Sequence, residues 1–93
     1  MIRDFADKET ERFWLTGQSR KIAPDIQKRA YRKLQMLDAA TILEDLRIPP
    51  SNQLEKLQGD RKDFYSIRIN RQWRICFCWN GTDVSAVEVV DYH

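Results

Sequence analysis

The sequence predicts an α+β fold in which two N-terminal helices cover one face of an antiparallel sheet. Three observations carry this expectation. After Pro24, apolar residues recur at helical spacing, at Ile26, Ala30, Leu34 and Leu37. From Ser66 the period falls to two, and Trp73, Ile75, Phe77 and Trp79 alternate along one face of a strand. The helical pattern comes first and a strand meander last, which selects α+β over an alternating parallel sheet.

The elements follow in order. Ile2 to Phe5 reads as a short edge strand. Asp7 to Leu15 reads as a first helix, with acidic residues in its first turn where the helix dipole favours them and Gly17 as its stop. The second helix opens on Pro24 and Asp25, both suited to a first turn. Tyr31 and Met36 flank its apolar face, and Lys28, Arg29, Arg32 and Lys33 spread around the other side. Ala39 to Leu46 reads as a further turn or two of helix, which Pro49-Pro50 ends. Leu54 and Leu57 precede a turn at Gly59-Asp60. Asn80-Gly81 marks a hairpin, and Val84 to Val90 is the last strand. The order is β-α-α-β-β-β, with one extra short strand allowed for, in a single domain covering residues 1–93.

The first hairpin carries a specific register. With Asn70-Arg71-Gln72 as its loop, Ile69 pairs with Trp73 and Ile67 with Ile75, all facing the core. Arg68 then lies opposite Arg74 on the open face, where like charges repel unless an anion or carboxylate compensates. The register after Asn80-Gly81 stays open. A two-residue and a three-residue loop place Val87, Val89, Asp91 and His93 on opposite faces.

Composition narrows the function classes. No run approaches the roughly 20 apolar residues of a membrane span, and the charged N-terminus does not resemble a signal peptide. A cytoplasmic protein with no membrane partner is expected. Cys76 and Cys78 form C-x-C and are expected to be reduced packing thiols. A metal site would need further soft ligands, and His93 is the sole histidine, so neither metal nor cofactor is expected. The net charge is only +2, but the cations cluster. Arg20, Lys21, Lys28, Arg29, Arg32 and Lys33 form one group; Lys56, Arg61, Lys62, Arg68, Arg71 and Arg74 form another. Two such clusters suit an anionic partner such as nucleic acid.

Cutting RNA without a metal requires a base for the 2′-hydroxyl proton, an acid for the leaving 5′-oxygen, and cations for the charged phosphorus in the transition state. The C-terminal half offers Glu55, Asp91, Tyr92 and His93 for proton transfer. Lys56, Arg61, Arg68, Arg71 and Arg74 are its cations, and arginine delivers directed donors to phosphate. Which group is base and which acid is open at this level.

Three segments carry a resemblance that spans the whole chain. They are Leu54-Glu55-Lys56-Leu57-Gln58-Gly59-Asp60-Arg61, Tyr65-Ser66-Ile67-Arg68-Ile69-Asn70-Arg71-Gln72-Trp73-Arg74-Ile75 and Val87-Glu88-Val89-Val90-Asp91-Tyr92-His93. Together they resemble the HigB-type toxins, plasmid-maintenance killer proteins of the RelE superfamily. The resemblance implies a RelE-like fold and a type II toxin–antitoxin system. It implies ribosome-dependent cleavage of mRNA in the A site without metal. It also implies a HigA-type helix-turn-helix antitoxin, through which alone the toxin would meet DNA. Arg74, Asp91, Tyr92 and His93 carry over as functional positions, with Arg68 beside them. Some HigB toxins have His where Glu55 stands and Lys where Gln58 stands. These departures predict a milder nuclease and leave a competing reading, an RNA- or partner-binding module with little cleavage.

Overall fold

The computed structural model describes residues 1–59 and 63–92. Helix α1 spans Lys8–Thr16. The Asp7 carboxylate caps it, accepting from the Thr10 N–H at 3.3 Å. Gly17 ends it at φ 76°, donating its N–H to the Phe13 carbonyl. Helix α2 spans Gln27–Ala39, after a single 3₁₀ turn at Pro24–Ile26. Its buried face carries Ala30, Leu34 and Leu37, as the spacing predicts. Lys33 departs from expectation, being buried rather than on the solvent side. The predicted extension to Leu46 is not continuous helix. The chain turns at Ala40 and re-forms a 3₁₀ segment at Leu43–Arg47, where the Asp45 carboxylate accepts from the Thr41 and Ile42 N–H groups.

Among the described residues the sheet has four strands, β1 (Glu55–Lys56), β2 (Phe64–Arg68), β3 (Trp73–Asn80) and β4 (Asp83–Asp91). Their spatial order is β1-β2-β3-β4, and every neighbouring pair is antiparallel. The extra short strand is thus β1. Ile2 and Phe5 make isolated parallel bridges to Val84 and Val87 in place of a full edge strand. The helices pack on one sheet face, and Phe13, Leu34, Leu37, Ile67, Ile75 and Phe77 lie fully buried between the layers. Burial of each such side chain is worth about 1.5–3 kcal/mol.

The β3–β4 connection is the two residues Gly81 and Thr82, one step later than the Asn80-Gly81 pair suggests. Asn80 pairs with Asp83 and Cys78 with Ser85, but Cys76 then pairs with Glu88. One extra residue has entered β4, and Ala86 takes a positive φ of 51° there. Side chains alternate along a regular strand, so Val84 and Val87 would otherwise face opposite ways. The bulge lets Val84, Val87 and Val89 all reach the core. Asp4 holds it, accepting the Ala86 N–H on its carboxylate at 2.6 Å.

Candidate active site

The β2–β3 hairpin has the predicted register. Ile67 pairs with Ile75 and Arg68 with Arg74. The Asn70 side chain closes the turn, its carbonyl oxygen accepting from the Gln72 and Trp73 N–H groups at 2.8 Å each. The two arginines tolerate their opposition because their guanidiniums diverge. Arg68 Nε donates back toward the turn, to the Asn70 carbonyl at 3.0 Å. Arg74 turns the other way and is buried. Its Nε donates to Ser66 Oγ at 2.9 Å and its Nη2 to the Gln53 carbonyl at 2.7 Å.

Glu55 supplies the carboxylate that this charge pair calls for. It pairs with Ser66 across β1 and β2, which sets it on the same face as Arg74. Its Oε2 lies 3.8 Å from Arg74 Nη2, and its side chain is 62% exposed where that of Arg74 is 10% exposed. The carboxylate therefore sits at the rim while the guanidinium forms the floor. Tyr92 lies past the end of β4 on this open face, with its hydroxyl 3.8 Å from Cys76 Sγ. The Tyr92 N–H donates to the Gln72 carbonyl, which ties the tail to the hairpin turn. Glu55, Arg68, Arg71, Arg74 and Tyr92 line one shallow cleft of about 380 Å³. An immobilised cation, a solvent-facing carboxylate and a phenol thus meet in one place. These groups can fix a phosphate and move protons around it. Among the described residues, no group of three or more His, Cys, Asp or Glu side chains is placed to hold a metal ion.

The chain from residue 3 to residue 93 matches the family model described as the RelE-like toxin of the type II toxin–antitoxin system HigB. It belongs to the HigB-like toxin family. Toxin HigB-1 of Vibrio cholerae is 42% identical over 80 residues, covering 85% of this chain and 84% of the relative. Endoribonuclease HigB of Proteus vulgaris is 29% identical over 93 residues and covers the full length of both chains. The fold also resembles that of a YafQ mutant from E. coli, at a TM-score of 0.65 and 11% identity over 98% of this chain and 91% of that one. Within the RelE-like fold of this HigB-like toxin, the α+β reading and the family resemblance both hold.

The sequence-predicted residues of the toxin do not all converge. Glu55, Arg68, Arg71, Arg74 and Tyr92 do. Lys56 pairs with Tyr65, so it projects from the sheet face opposite Glu55. Asp91 pairs with Trp73 and likewise projects opposite Tyr92. There it accepts from Gln72 Nε2 at 3.0 Å. Arg61 and His93 lie outside the described residues. Sequence reasoning missed Ser66, Gln53 and Asn70 as the groups that orient the arginines. Only Asn70 carried a signal, as a turn residue. Gln53 acts through its backbone, at a positive φ of 44° that no local pattern announces.

Proposed function

We propose that this toxin is an endoribonuclease that cuts mRNA in the ribosomal A site, without a metal ion, in the cytoplasm. The observation that carries the proposal is the tethered Arg74 guanidinium, with Glu55 at its rim and Tyr92 in the same cleft. The Proteus vulgaris relative, named an endoribonuclease, supports the reaction class. In this reading the 2′-oxygen attacks phosphorus, its proton passes to Glu55, and the P–O5′ bond breaks. The departing 5′-oxygen takes a proton from Tyr92, the hydroxyl donor of the cleft. Arg74 and Arg68 stabilise the extra negative charge on phosphorus. His93 and Arg61 are assigned further proton-transfer and phosphate-binding roles from the sequence and the family resemblance alone. The proton-transfer set is sparse for a free ribonuclease, so the ribosome positions the strand.

Purified toxin should cut mRNA on programmed ribosomes and leave naked RNA nearly intact. The new ends should be a 2′,3′-cyclic phosphate and a 5′-hydroxyl. Equal cutting of naked RNA overturns the ribosome dependence, and 5′-phosphate ends overturn the mechanism.

The toxin–antitoxin family supports a partner that neutralises the toxin, and we propose a HigA-type helix-turn-helix protein in this role. Co-expression should restore growth and give a complex that co-purifies. A second reading, binding RNA without cutting it, draws support from Asp91, which faces away from Arg74. Growth arrest with unchanged mRNA 5′ ends would favour it.

A further inference from the structure

A second cleft, of about 590 Å³, lies between α2 and the β2–β3 turn. Arg29, Arg32 and Lys33 line it from the helix; Arg68 and Arg71 line it from the hairpin. Positions 29, 32 and 33 share one side of α2 because residues three and four apart are neighbours on a helix. Among the described residues, no Asp or Glu lines the cleft. Outside the cleft some of the described cations find carboxylates, Lys21 at Asp7, Arg3 at Asp83, Arg47 at Glu44 and Arg74 at Glu55, whereas Lys8, Arg12, Arg20, Lys28 and Lys56 do not. None of the five cleft cations makes an ion pair among the described residues. Lys33 is buried, and its ammonium donates to the neutral side-chain oxygen of Asn52. A cluster of this kind carries an electrostatic cost in the empty protein, which a bound anion relieves.

The cleft is also continuous with the candidate active site, since Arg68, Asn70 and Arg71 line both. We infer that the α2 cleft is a second phosphate-binding site, which holds the backbone of the substrate strand next to the nucleotide at Arg74. This inference rests on the RNA-cutting reading and extends it to residues outside the proton-transfer set. Four of the five cations are arginines, whose planar fork matches phosphate oxygens. Continuity with the first site favours one RNA strand crossing both clefts over a separate acidic peptide.

The test uses 2′-O-methyl oligonucleotides, which cannot be cut, in a dinucleotide and an eight-nucleotide form. Binding is followed by fluorescence anisotropy across a salt series. Arg29 and Arg32 are exposed, so R29A/R32A should keep the fold, checked by circular dichroism. The double variant should bind the longer strand about tenfold more weakly, with a log–log salt slope shallower by about 1.4, two phosphate contacts' worth. Its affinity for the dinucleotide should be unchanged. K8A/K28A removes the same net charge away from the cleft and should match the wild type. Wild-type affinity and slope in R29A/R32A overturn the inference, as does an equal loss in K8A/K28A or a loss confined to antitoxin binding. Because the strand is uncuttable, failure here is distinct from failure to cleave on ribosomes.

Discussion

Glu55 and Arg74 meet at 3.8 Å across the edge of the sheet, the one largely in solvent and the other almost wholly enclosed. The asymmetry separates their roles. Arg74 is held by Ser66 and the Gln53 carbonyl whether or not Glu55 is present. Glu55 is free to exchange its partner for a substrate proton without disturbing the fold. At 3.8 Å and with its carboxylate largely in solvent, the pair contributes little stability, so its value lies in bringing a carboxylate to a phosphate-binding guanidinium.

Arg74→Ala should lower ribosome-dependent cleavage by about 10²–10³, the usual loss on removing a transition-state donor. It should also destabilise the protein by about 1–3 kcal/mol, since Ser66 and the Gln53 carbonyl lose a charged donor in a buried setting. Arg74→Lys keeps the charge but loses the fork, and should recover stability more than activity. Cleavage assays and urea denaturation of both variants check this.

Glu55→Gln should separate activity from stability in the opposite way. Its side chain is exposed, so unfolding free energy should stay within about 0.5 kcal/mol of wild type. Cleavage should fall by about 10²–10⁴, the range for a lost general base. Tyr92→Phe should also slow cleavage while preserving RNA affinity, because the ring remains to stack on a base. Wild-type cleavage in Glu55→Gln would exclude it as the base.

Asp91 faces away from Arg74, so its expected part in activity is to position the tail. Gln72 donates to Asp91 and also accepts from the Tyr92 N–H, so one residue ties down both. Asp91→Ala and Gln72→Ala should each reduce cleavage modestly, and the double variant should be no worse than the poorer single one. Additive losses would instead give Asp91 a role of its own in the chemistry.

Burial, reinforced by Arg29 and Arg32, holds the Lys33 ammonium below its ordinary value of 10.5. The unfolded chain therefore binds this proton more readily than the fold does. Stability must rise with pH between the lowered folded value and 10.5. Urea denaturation from pH 7 to 10 should show wild type gaining on Lys33→Met as pH increases, since groups common to both cancel. A constant difference would show that Lys33 titrates as in the unfolded chain.

Ala86 adopts a left-handed conformation at the β4 bulge. Ala86→Gly should stabilise the protein by about 0.5–1 kcal/mol, because glycine meets no Cβ penalty there. Asp4→Ala should destabilise it, by removing the acceptor of the Ala86 N–H. Thermal denaturation checks both.

Much of this protein is determined by the sequence itself. Helical spacing from Ile26 to Leu37 and alternation from Trp73 to Trp79 dictate which faces are buried, because each repeat matches one backbone geometry. The same alternation, with the Asn70-Arg71-Gln72 turn, places Arg68 opposite Arg74, and the three resembling segments carry the family. Tertiary structure decided the rest. The bulge at Ala86 is held by Asp4, some 80 residues away, and it turns Val87 inward and decides which face Asp91 and Tyr92 each take. Gln53 reaches Arg74 through a backbone carbonyl, which carries no residue signature. Lys33 lies inside because Asn52 meets its ammonium there. Local pattern records the periodicity of a segment, whereas these features depend on partners distant along the chain that only folding brings together.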